Sequence, residues 1–206
     1  EGIQRGRVHL HLIPEEATFP MQACDDRDRN LWAQAARGDR DAFAELAREL
    51  EPRLRRFLLR VGGYADSVDD QVQEVFVRWI EGMDRAAEAA NPRSWILGIA
   101  ANVSREQRRN LGRREERLAA EPAQPEVDPA RLLAESEGEE RALSALRTLP
   151  QKMREVLVLS VHEGLSPREI ARALGLRDEA VRHRLMRARR AMEQILDWTP
   201  ARREER

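Results

Sequence analysis

Apolar residues recur along most of this chain with the three-to-four-residue period of an amphipathic helix, and short polar or glycine-containing breaks punctuate the runs. From Leu31 to about Arg114 the period is sustained between breaks at Gly38-Asp39, at Gly62-Gly63 and across the loop from Gly82 to Asn91, which predicts a first helical domain over residues 29–114. The period returns from Glu140 to Trp198 and predicts a second, smaller helical domain over 140–198, followed by a short tail at 199–206. Residues 115–139 carry Pro122, Pro125 and Pro129 among acids such as Glu115, Glu121, Glu126, Asp128 and Glu135, the composition of a solvated linker. Residues 1–28 show no sustained period and read as a flexible leader, within which Met21 is a candidate natural start. The expected fold is therefore all-α: two small helical domains joined by a flexible acidic linker, with no repeat relating them.

The second domain contains the more specific pattern, "GLSPREIARALGLRDEAVRHRLMRARRAM" from Gly164 to Met192. Ser166 can cap a helix, Pro167 fits its first turn, and Glu169 stands three residues on to complete a capping box. Ile170 and Leu174 give this short helix an inner face, and Gly175 supplies a turn where a Cβ would be strained. A second helix then starts near Asp178, and its Val181, Leu185, Ala188 and Met192 follow the spacing of one buried stripe. At about 100° per residue, Glu179, His183, Arg187 and Arg190 fall on the opposite face, with Arg182 at its flank. A helix that buries one side and presents arginine on the other suits a DNA major groove, where arginine bonds guanine bidentately. An isolated arginine-rich helix would more simply be a solvated, salt-bridged surface; the capped helix before it, the glycine turn and the matched stripes favour a DNA-binding helix-turn-helix.

Two helices of the first domain are also informative. "SVDDQVQEVFVRWI" begins with Ser67 and has Asp70 three residues on, which predicts a second capping box. Val68, Val72, Val75, Phe76 and Trp79 share its inner face, while Asp69, Asp70, Gln73, Glu74 and Val77 form an acidic, partly apolar outer face that suits a basic protein partner better than DNA. "NPRSWILGIAANVSREQRRN" opens with Asn91 as cap and Pro92 in the first turn. Its Trp95, Ile96, Ile99 and Val103 make a core face, and Asn102, Arg105 and Arg109 an adjoining face that could meet a nucleic-acid backbone or base edges.

Composition narrows the function. The chain has 206 residues, 35% of them charged, yet a formal net charge of −1, so basic segments are offset by acidic ones. Aromatics at 4% and an abundance of Ala, Leu, Arg and Glu favour helices over sheets. No apolar run approaches the roughly 20 residues of a membrane span, and no export signal is evident, so a soluble, cytoplasmic protein without membrane insertion is expected. The lone Cys24 cannot form an internal disulfide, and with His9 and His11 it makes a weak candidate for a redox or metal site. Enzymatic motifs are missing: "HEGLS" at His162 lacks the second histidine of HExxH, there is no phosphate-cradling glycine loop, and Asp69 and Asp70 point to different sides of their helix. No cofactor is expected.

Five segments, "GDRDAFAELARELEPRLRRFLLR", "DDQVQEVFVRW", "NPRSWILGIAANVSREQRR", "LPQKMREVLVL" and the helix-turn-helix, stand in an order that resembles an extracytoplasmic-function sigma factor over about residues 29–197. The resemblance implies a non-catalytic chain that joins core RNA polymerase, recognises two promoter elements and helps open the duplex. It implies that Asp70, Gln73, Glu74 and Arg78 dock on the coiled coil of the largest polymerase subunit, that the second domain meets the flap region, and that a cognate anti-sigma factor is a further partner. It assigns the loop from Gly82 to Asn91, with Asn102, Arg105, Arg108 and Arg109, to the minus-10 element. Ser166, Arg168, Arg177, Glu179, Arg182, His183, Arg187 and Arg190 are assigned to the minus-35 element. The chain departs from the family pattern at Gln71, where leucine is usual, at Ala180, where threonine is usual, and at His183, where serine is frequent. The acidic leader and linker suggest that the uncomplexed chain binds duplex weakly until polymerase separates the two domains. A stand-alone, dimeric helix-turn-helix regulator is the alternative, although no dimerisation stripe is evident.

Overall fold

A computed structural model describes residues 26–62, 67–83, 91–117 and 137–197. Among them the chain is all-α, with eight helices and no strand. The leader up to residue 25, with Met21, Cys24, His9 and His11, lies outside the described residues, as do residues 84–90, the centre of the linker and the tail from residue 198.

Helix α1 (Asp26–Ala36) begins earlier than the apolar period from Leu31 suggests, and it buries Trp32 and Ala35. Gly38 turns the chain at φ +89°, and Asp39 then caps α2 (Arg40–Gly62) by accepting from the backbone N–H groups of Asp41 and Ala42 at 3.0 and 3.1 Å. Leu46, Leu50, Leu54, Phe57, Leu58 and Val61 line the buried face of α2, and Pro52 sits on its exposed side, where the hydrogen bond it forgoes faces water.

The cap expected at the start of α3 (Val68–Glu81) does not form. Ser67 has φ −109° and ψ 6°, not the extended backbone a capping side chain needs, and its Oγ instead accepts from the Gln71 amide at 3.0 Å. Gln71 is therefore a buried side chain held to the turn before its own helix. Asp69 and Asp70 still complement the helix dipole in the first turn. The buried face is the expected one: Val68, Val72, Val75 and Trp79, with Phe76 half-buried. Trp79 centres the packing, with ring contacts to Trp32, Phe43 and Phe76 at centroid separations of 5.1, 4.6 and 5.9 Å.

Asn91 caps α4 (Pro92–Arg117), its Oδ1 accepting from the Ser94 N–H at 3.1 Å. The C-terminal half comprises α5 (Glu137–Thr148), α6 (Gln151–Val161), α7 (Pro167–Leu174) and α8 (Asp178–Asp197). The two halves do not sit apart: α4 packs along α7, and α2 along α5 and α6, so the buried apolar side chains form one contiguous cluster. Arg154 of α6 reinforces this contact by donating to the Val61 carbonyl at 3.0 Å and to the Leu149 carbonyl of its own half at 3.0 Å.

His162, just after α6, is enclosed beside Arg60 of α2; burial and then the Arg60 charge push its pKa down to about 3. The neutral imidazole of the folded chain thus faces an unfolded-state pKa near 6.5, so folding is opposed by protonation: this contribution is intact above about pH 6.5 and is lost as pH falls toward 3. The wild-type chain should lose stability by up to about 1.4 kcal/mol per pH unit from this group on acidification through that window. His162→Gln should remove that part of the slope, as measured by urea denaturation at pH 7 and pH 5; equal slopes for the two proteins would show that His162 is not the titrating group.

Candidate nucleic-acid interface

The helix-turn-helix forms from local chemistry. Ser166 is extended at φ −65° and ψ 155°; its Oγ accepts from the Glu169 N–H at 3.3 Å while the Glu169 carboxylate accepts from the Ser166 N–H at 2.9 Å, which completes the reciprocal box. Burial pushes the Glu169 carboxyl up, but the hydrogen bonds from Ser166 and Asn91 outweigh it and hold the group below the usual carboxylate range. At the other end Gly175 takes the left-handed conformation at φ 64°. Its N–H reaches the Arg172 carbonyl and the Leu176 N–H reaches the Ala171 carbonyl at 2.8 Å, the double closure of a Schellman turn. This turn aims α8.

On α8 the expected stripe of Val181, Leu185, Ala188 and Met192 is buried. Glu179, Arg182, His183, Arg187 and Arg190 are exposed on the other side, and Arg177 precedes them in the turn. Ser166 and Arg168 are exposed at the start of α7, so all eight residues assigned to the minus-35 element lie on the accessible side of one rigid motif. Met186 belongs with them: it is 44% exposed and lies between Arg182 and Arg190 in angular position. The same bookkeeping that found the arginines could have found it, since an exposed thioether amid cations is the exception on that face.

The outer face of α3 presents Asp70 and Gln73 to solvent together with Val77 at 49% and Ile80 at 56% exposure. Arg78, expected on the docking face, is turned toward α4. It donates to Glu74 at 2.7 Å and to both carboxylate oxygens of Glu106, and these hydrogen bonds raise its pKa and hold the Glu106 carboxyl low. Glu106, Glu74 and Asp70 line one polar groove of about 300 Å³ between the two helices. Sequence reasoning missed Ile80 and Glu106: a face deduced from one helix does not reveal the neighbour that completes it.

The residues assigned to the minus-10 element divide into two groups. Asn102, Arg108 and Arg109 are exposed on α4. Arg105 instead spans to the C-terminal half, donating through Nε to Glu155 at 2.9 and 3.0 Å and through Nη1 to Asn102 at 3.0 Å. Asn91 donates to Glu169 of α7 at 2.9 Å. Most of the loop from Gly82 to Asn91 lies outside the described residues.

The arrangement pairs an exposed acidic and apolar face on α3 with an exposed basic face on α8, and comparison with known proteins gives it a family. Residues 46–114 match the family model described as Sigma-70 region 2, and residues 139–192 match Sigma-70, region 4. The RNA polymerase sigma factor CnrH of Cupriavidus metallidurans is 34% identical over 185 residues, covering 84% of this chain and 96% of that protein. The chain belongs to the sigma-70 family, in its extracytoplasmic-function (ECF) branch. The ECF RNA polymerase sigma factor SigD of Mycobacterium tuberculosis is 30% identical over 206 residues, covering 95% of this sigma factor and 94% of its own length. The solved structure of CnrH in complex with the cytosolic domain of CnrY matches with a TM-score of 0.60 at 31% identity, over 84% of this chain and 98% of that one. The fold is also shared with RpoE of Bartonella quintana, solved with the anti-sigma factor NepR, at a TM-score of 0.64 and 22% identity over 76% of this chain. The protein is thus an RNA polymerase sigma factor, and among its described residues no helix is long and apolar enough to cross a membrane.

Ser166→Ala removes the capping oxygen and should cost about 1 kcal/mol of stability, whereas Arg168→Ala, two residues away and exposed, should change it by less than about 0.5 kcal/mol. Chemical denaturation of both variants measures the difference, and equal losses would mean that the cap contributes nothing.

Proposed function

We propose that this ECF sigma factor docks on core RNA polymerase through the outer face of α3 and reads the two promoter elements with α8 and α4. Asp70, Gln73, Val77 and Ile80 offer a carboxylate, an amide and two aliphatic side chains on one exposed strip, and Glu74 at its edge is held by Arg78. Such a strip fits the basic, amphipathic coiled coil of the largest subunit, with the C-terminal half reaching the flap region. Arg182, His183, Met186, Arg187 and Arg190 enter the major groove of the minus-35 element, with Ser166 and Arg168 steadying α7 on the phosphates. Asn102, Arg105, Arg108 and Arg109 hold the minus-10 region as the duplex opens. The chain acts by recognition, without catalysis, on polymerase in the cytoplasm. An anti-sigma partner, of the kind solved with Bartonella RpoE, is part of this reading.

The observation that carries the proposal is the opposition of two exposed faces of different chemistry, cationic on α8 and acidic with aliphatics on α3, in a chain of this family. Run-off transcription with core polymerase from a related bacterium, on a pooled random-promoter library, should yield protein-dependent transcripts that share two spaced motifs. Within that assay His183→Ala and Arg187→Ala should each shift minus-35 preference by about 1–3 kcal/mol per contacted base and leave polymerase affinity intact. Asp70→Ala combined with Gln73→Ala should do the reverse. Equal effects of all these changes on both readouts would break the assignment of the faces, and sequence-specific DNA binding by a dimer without polymerase would point to a stand-alone regulator.

A further inference from the structure

Among the described residues three large apolar side chains are exposed: Val77, Ile80 and Met186. Val77 and Ile80 belong to the outer strip of α3, where the docking proposed above would cover them. Met186 stands on the other exposed face, 44% exposed and the ninth residue of α8. Arg182 and Arg190 lie one turn before and after it, and His183 and Arg187 flank it on the accessible side. It is not the rim of the core: at about 100° per residue Arg182 falls between Met186 and Leu185, the nearest member of the buried stripe. Packing within the chain therefore does not account for an apolar side chain at this position.

Base edges in the major groove differ in what they offer. Guanine presents acceptors, cytosine and adenine present an amino donor, and thymine presents a C5-methyl group, the only apolar group of the set. An arginine addresses guanine. A thioether has no donor and is a weak acceptor, so it gains little from the polar edges. Set against guanine, adenine or cytosine it would strip water from a donor or acceptor and return no hydrogen bond, which costs affinity. Against thymine the same side chain buries a methyl group, and its unbranched chain adapts to where that methyl lies. A methionine on this face would therefore act twice on the choice of base, by attraction to thymine and by penalty on the other three.

We infer that Met186 is a specificity-determining residue for the minus-35 element, where its thioether packs on the C5-methyl group of one thymine. The assignment rests on the sigma-factor reading above and adds the base that α8 selects between its arginines. One helical turn advances about 5.4 Å and successive base pairs about 3.4 Å, so this thymine lies one or two base pairs from a guanine read by Arg182 or Arg190. Arginine recognition alone would favour guanine throughout, and Met186 breaks that run with a base chosen by shape and by its methyl group.

Removing a single methyl group from the promoter tests this directly. The holoenzyme is assembled from the full chain and core polymerase, and a promoter carrying the minus-35 motif recovered from the pooled library is the probe. Each thymine of that motif, on either strand, is replaced in turn by deoxyuridine, which deletes the C5-methyl group and leaves every hydrogen-bonding group in place. At one position the replacement should weaken wild-type binding about fourfold, the effect of one buried methyl group. Met186→Ala should bind the thymine and deoxyuridine promoters equally, at the level the wild type shows with deoxyuridine. Met186→Leu should restore the preference for thymine. With cytosine at the same position, 5-methylcytosine should bind the wild type more tightly than cytosine does, and Met186→Ala should not distinguish the two. Met186 is exposed, so these substitutions leave the core intact, and an unchanged affinity for core polymerase confirms that each variant is folded. A wild type indifferent to deoxyuridine at every position, or a thymine preference that persists in Met186→Ala, would overturn the assignment while leaving the sigma-factor reading in place. A chain that neither binds core polymerase nor selects a minus-35 motif would sink that reading, and the role of Met186 with it.

Discussion

A carboxylate sealed from water is tolerable only where its charge is matched, and Glu155 sets that constraint for this protein. Its match, Arg105, is carried by α4, so the register of α4 against α6 is fixed by the need to bring guanidinium to carboxylate. That register carries α7 with it: Gly98 allows the backbone of α7 to close on α4, and Asn91, already the cap of α4, reaches Glu169, already half of the α7 capping box. Residues that finish a helix end locally are thereby used a second time to hold two halves together.

Each half is stabilised by ordinary amphipathic packing, and its function comes from what that packing leaves outside. α3 spends Val68, Val72, Val75 and Trp79 on the core and is left with carboxylates and two exposed aliphatic side chains. α8 spends Val181, Leu185, Ala188 and Met192 and is left with arginines around one methionine. The opposite signs of the two outer faces suit opposite partners, a basic protein surface for the first and a phosphate-lined groove for the second. Arg78 illustrates the limit of assigning roles by sign alone, since a cation on an acidic face is there consumed by Glu74 and Glu106 and shapes the carboxylates around it.

Much was legible in the sequence because it depends on neighbours three or four residues away. The all-α class, the buried stripes of α3 and α8, the Ser166–Glu169 box, the Asn91 cap and the left-handed Gly175 all follow from helical periodicity and from backbone groups satisfied within one turn. Where local reasoning failed, a local competitor explains it: Ser67 did not cap α3 because its backbone is not extended and the Gln71 amide takes its hydroxyl.

The tertiary structure alone decided which charged side chains are available. Arg105 and Arg109 sit one helical turn apart on the same helix, and the sequence treats them alike. Only the first meets Glu155, which lies 50 residues further along the chain. The same holds for Arg53 and Glu163, 110 residues apart, and for Gly98, whose missing side chain has no meaning until Ala173 is placed against it. Helical period fixes the direction in which a side chain leaves its own helix. Which partner waits there depends on how separate helices pack, and no spacing within either helix encodes that.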